Sequence, residues 1–107
     1  MKKIYRHGDI ILKEIENLPK NLKSVSKESQ FVLAEGETTG HKHTLVAKPQ
    51  TMEILQDKKG RFYLKFSDVV ELTHQEHKTI FIQPGIYEVG NEREYDYFLE
   101  EIRKVVD

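Results

Sequence analysis

Thr51-Met-Glu-Ile-Leu-Gln-Asp-Lys-Lys-Gly-Arg-Phe-Tyr-Leu-Lys-Phe66 is the stretch that decides the fold. Two short apolar-rich runs, 51–56 and 61–66, flank Asp57-Lys58-Lys59-Gly60. A glycine here suits a left-handed backbone position closing a short hairpin loop, so the segment predicts two antiparallel strands. The same rhythm extends outward in both directions. Residues 9–16 carry Ile10, Ile11 and Ile15 and stop before Asn17-Leu18-Pro19. Residues 30–35, 44–47, 68–73, 79–83 and 86–89 are further short strand candidates, the last opened by the turn pair Pro84-Gly85. The polar stretch 20–30 has no apolar periodicity and reads as a loop. About eight short strands at roughly ten-residue intervals predict an all-β domain, a small barrel or sandwich. Tyr97, Phe98, Ile102, Val105 and Val106 allow one short C-terminal helix at i, i+4 spacing.

The chain has 107 residues, a length suited to a single domain spanning 1–107. Charged residues make up 33%, with 13 Lys and 13 Glu, yet the net charge is only −1. That balance argues against binding extended double-stranded DNA or any general polyanion. The lack of cysteine rules out disulfides, thiolate metal ligands and cysteine nucleophiles. No apolar run is long enough for a leader peptide or a membrane span, and a cytoplasmic location is the expectation.

Five histidines are present, and four of them fall into two tight groups beside turns. His41 and His43 end the run Gly36-Glu-Thr-Thr-Gly-His-Lys-His43, and His74 and His77 lie in Leu72-Thr-His-Gln-Glu-His77. Residues two apart on a strand share a face, so His41 and His43 can converge on one atom. His-x-x-His allows the same within one turn. His7, in Tyr5-Arg6-His7-Gly8-Asp9, reads as a turn residue without a chemical role.

Three readings stay open for the two groups. They can be residues without catalytic chemistry, whether polar groups on solvated loops or the contacts of a non-catalytic nucleotide-binding module. They can also be a cupin-like metal centre, with His41, His43, His74 and His77 holding zinc, iron or nickel. The cupin pattern is incomplete, because Ala47 and Lys48 stand where its acid is expected, and Ile86 and Tyr87 follow Pro84-Gly85 in place of its second-motif histidine. The third reading is phosphodiester cleavage without a cofactor. Histidines then remove the proton of a 2′-hydroxyl and protonate the 5′-oxygen, and Arg93 in Asn91-Glu92-Arg93-Glu94-Tyr95 holds phosphate charge. Such a mechanism predicts a bell-shaped rate profile with both limbs between about pH 5 and 8.5. His43 and His77, each beside a strand that can fix its rotamer, are the leading pair. The two groups and the Arg93 segment are expected to meet in one cleft.

Arg6-x-Gly8-Asp9, Gly36-Glu37-x-Thr39-Gly40-His41-x-His43, Leu72-x-His74-x-Glu76-His77, Pro84-Gly85-x-Tyr87-x-Val89 and Arg93-Glu94-Tyr95-Asp96 together resemble a family of small bacterial, archaeal and phage proteins. These are similar to compact ring nucleases of type III CRISPR defence that lack the usual nucleotide-sensing domain. The resemblance implies an antiviral homodimer that degrades cyclic oligoadenylate without a metal. It implies His41, His43, His74, His77, Arg93, Glu94 and Tyr95 as catalytic residues. Arg6, Thr39, Gly40 and Lys42, which flank the histidines, are the expected contacts to an RNA-type or cyclic nucleotide ligand.

Overall fold

The computed structural model describes residues 2–35 and 41–91. The helix expected near the C-terminus lies outside these residues, as do Thr39, Gly40, Arg93, Glu94 and Tyr95.

The described chain is all-β, with ten strands in two antiparallel sheets. They are β1 (Ile4–His7), β2 (Ile10–Ile15), β3 (Lys23–Ser26), β4 (Gln30–Glu35) and β5 (Lys42–Val46), then β6 (Met52–Gln56), β7 (Phe62–Phe66), β8 (Val70–Thr73), β9 (Ile80–Ile82) and β10 (Gly85–Asn91). One sheet has the order β1-β2-β10-β7-β6-β3 and the other β4-β5-β8-β9. The architecture is a sandwich, not a closed barrel. No helix of the described residues is long and apolar enough to cross a membrane.

The hairpin that decided the fold forms as read. Gly60 takes φ +91°, its N–H reaches the Asp57 carbonyl at 3.1 Å, and the Asp57 carboxylate accepts from the N–H groups of Lys59 and Arg61 at 2.9 Å each. Across it, Met52 pairs with Phe66, Ile54 with Leu64 and Gln56 with Phe62. Alternation turns Met52, Ile54, Leu64 and Phe66 inward. They meet Ile10 and Leu12 from the same sheet and Leu33, Leu45, Val70, Leu72 and Ile82 from the other, and Tyr87 completes this core. Burial of these side chains, each worth about 1.5–3 kcal/mol, holds the two sheets together.

Two strands escape the sequence reading. The stretch 20–30, read as a loop, contains β3, which pairs with β6 at the sheet edge. Its Lys-Ser-Val-Ser residues stay largely exposed, so backbone pairing holds the strand with no apolar stripe to announce it. The stretch Ile4–His7, with His7 taken as a turn residue, is β1 and pairs with β2. The turn is only Gly8-Asp9. Gly8 leads that two-residue loop at φ +63°, the position that a type II′ hairpin gives to glycine.

Candidate active site

Strand register explains why histidines distant in sequence become neighbours. Thr44 of β5 pairs with Thr73 of β8, in antiparallel sense. The residue before the first, His43, and the residue after the second, His74, are therefore brought side by side. On β5, His43 shares a face with Leu45, and beyond β8, His74 continues the alternate row of Val70 and Leu72. On β1, His7 follows Tyr5, which packs on the core. At one end of the sandwich the inward rows of three strands thus run out of apolar side chains and into imidazoles.

All five histidines gather there. Ring centroids lie 4.4 Å apart for His43–His74, 4.6 Å for His74–His77 and 5.9 Å for His43–His77. His41 stands 5.6 Å from His74, and His7 is 5.1 Å from His43 and 5.6 Å from His77. The Lys42 N–H donates to the Gln75 side-chain oxygen at 2.7 Å, which ties the 74–77 segment to the start of β5. The two histidine groups meet as expected. His7 was missed, and this corrects its reading as a turn residue. It is buried at 3% exposure, and both ring nitrogens are engaged.

The hydrogen bonds fix where the protons sit. The Lys78 carbonyl can only accept, so His7 Nε2, 2.9 Å away, carries a hydrogen. A neutral His7 then presents a bare Nδ1 to His43 Nδ1 at 3.0 Å, and His43 must be the donor. Its own Nε2 is left as a lone pair, 3.4 Å from the exposed Asp9 carboxylate. Two acceptors face each other there, and a group that brings a proton between them satisfies both. Burial, then the neighbouring His74 and His7, pushes the His43 pKa down to about 4, so the ring is neutral at pH 7. His7 shifts the same way, mainly by burial.

His74 has the opposite polarity. Its Nδ1 accepts the Glu76 backbone N–H at 3.0 Å, so a neutral His74 carries its hydrogen on Nε2. His77 is exposed. His41 turns Nδ1 toward the Glu76 carboxylate at 3.6 Å. The cluster therefore grades from the buried rings of His7 and His43 to the exposed ring of His77.

A metal-bound imidazole donates its second N–H to an acceptor, as His43 does toward His7, whereas His74 accepts at that nitrogen. No group of three such side chains among the described residues is arranged to hold a metal ion. Tyr87, at the cupin second-motif position, is a core residue that donates to the Gln83 carbonyl at 2.7 Å.

Of the flanking residues, Lys42 is exposed, and Arg6 is exposed with Nε 3.4 Å from the Gly8 carbonyl. Gly8 itself is a steric requirement of the site. A Cβ there would stand 2.8 Å from His77 Nε2 and 3.0 Å from His43 Cε1. Gly8→Ala is expected to cost about 1–2 kcal/mol through left-handed strain and to push His77 outward. Urea unfolding together with the His77 ring resonances measures both, and an unchanged midpoint with unmoved resonances would remove the requirement.

Residues 6–92 match the model of a family described as "Domain of unknown function (DUF8820)". No curated protein and no solved structure matches the chain.

Proposed function

The chain belongs to the DUF8820 family, and we propose that it cleaves RNA-type phosphodiesters by histidine acid–base chemistry, without a metal. The observation that carries this reading is the opposed polarity of neighbouring rings, a bare Nε2 on His43 beside a hydrogen-bearing Nε2 on His74. His43 takes the proton of the 2′-hydroxyl, whose oxygen forms a bond to phosphorus. The bond from phosphorus to the 5′-oxygen breaks, and His77, entering as the imidazolium, protonates that oxygen. His74, 4.4 and 4.6 Å from the other two rings, donates to the charge building on the phosphoryl oxygens. The Asp9 carboxylate steadies the imidazolium that forms on His43. Buried and neutral suits a base, exposed suits an ion, and the burial of the two outer rings follows that order.

Within this reading the substrate is cyclic oligoadenylate, on the resemblance of the histidine and Arg-Glu-Tyr-Asp motifs to compact ring nucleases, and the working form is a homodimer in the cytoplasm. Arg93, Glu94 and Tyr95 hold and polarise the phosphate, and Arg6, Thr39, Gly40 and Lys42 hold the ligand around it. The test is turnover of cyclic oligoadenylate and of a short single-stranded RNA with and without EDTA. Cleavage that resists EDTA is the expected result. Activity lost to EDTA and restored by a transition metal would favour the metal centre, and inertness toward both substrates would leave a binding module.

A further inference from the structure

We infer that His7 is a positioning residue that selects the tautomer of His43. The inference rests on the reading of His43 as the base and deepens it. A neutral His43 has one ring hydrogen and two groups competing for it, His7 Nδ1 at 3.0 Å on one side and the Asp9 carboxylate at 3.4 Å on the other. Were Asp9 to win, the hydrogen would sit on Nε2, and the nitrogen facing Asp9 would be a donor, useless as a base. His7 wins because its own hydrogen is committed elsewhere. The Lys78 carbonyl accepts from Nε2 at 2.9 Å, and turning that ring's hydrogen to Nδ1 would leave two acceptors in contact.

The relay also has a geometric role. His7 comes from the six-stranded sheet and His43 from the four-stranded sheet, and Lys78 directly follows His77. One buried imidazole therefore couples the strand carrying the base to the segment carrying the acid. His7 touches neither in a way that transfers a substrate proton. It acts through His43.

Long-range proton–nitrogen NMR correlation on uniformly ¹⁵N-labelled protein at pH 7 reads the tautomer without substrate. In the wild type, His43 Nδ1 is expected to carry the hydrogen and Nε2 to be bare. His7→Phe removes the acceptor and should invert this pattern, with cleavage slowed roughly 10²–10⁴-fold in kcat, the scale seen when a catalytic histidine is held in the wrong tautomer. His7→Gln keeps an oxygen that can accept from His43 and an amide that can donate to Lys78, and should restore both the pattern and most of the rate. A wild-type His43 already protonated at Nε2 would overturn the inference, and so would a pattern that His7→Phe leaves unmoved. If His7→Phe does not fold, the wild-type and His7→Gln spectra still decide. A wild type with the expected tautomers but no cleavage would support the positioning and sink the nuclease reading alone.

Discussion

Replacing His43 by alanine is expected to slow single-turnover cleavage by about 10²–10⁴-fold. In the proposed mechanism the loss follows from the base being a single lone pair, Nε2, whose availability depends on the hydrogen bonds behind it. His77→Ala should cost a similar factor if it delivers the second proton. The pH profile carries independent information. In kcat/KM the acidic limb reports the base in the free protein, and with His43 lowered to about 4 that limb should fall near pH 4. The sequence alone placed both limbs between about pH 5 and 8.5, because an unperturbed histidine titrates near 6.5. Burial moves the acidic limb down. If His43→Ala cleaves like the wild type, the base lies elsewhere.

The same burial makes the fold sensitive to acid. In the unfolded chain His43 regains its ordinary value of 6.5, against about 4 when folded. Between those values the unfolded state binds more protons, so stability rises with pH through this window and is fully present above 6.5. Acidification removes it, by about 2 kcal/mol at pH 5 and about 3 kcal/mol below pH 4. His7, lowered as well, adds in the same direction. Against a typical net stability of 5–15 kcal/mol this is a large share. Urea midpoints at pH 7 and pH 5 measure it, and His43→Gln should flatten the difference. Equal midpoints for the wild type at the two pH values would contradict the buried neutral pair.

The sandwich was legible because its hairpins carry their own punctuation. Asp57 through Gly60 supplies both the capping carboxylate and the left-handed glycine that its turn requires. The convergence of His43 and His74 was legible in outline, since both lie at strand ends, but the register that sets them adjacent is a long-range pairing that local pattern does not encode. β3 was hidden because an edge strand can be held by backbone pairing with its side chains in water. His7 was hidden for a different reason. The adjacent Gly8-Asp9 is a turn, and the turn signal absorbed the residue before it. A usable clue was present in Ile4 and Tyr5, two strand-forming residues that place His7 on the same face as Tyr5. Proton positions lie beyond any sequence pattern, because they depend on which carbonyl and which amide each ring meets, here Lys78 and Glu76.

Mass spectrometry of the product ends tests the central claim most directly. Wild-type protein is incubated in EDTA with cyclic oligoadenylate and, separately, with a short single-stranded RNA. Attack by the 2′-hydroxyl under histidine acid–base control predicts fragments with 2′,3′-cyclic phosphate and 5′-hydroxyl ends, absent when His43→Ala is used. Intact substrates, or cleavage that leaves 5′-phosphate ends and needs added metal, would contradict it.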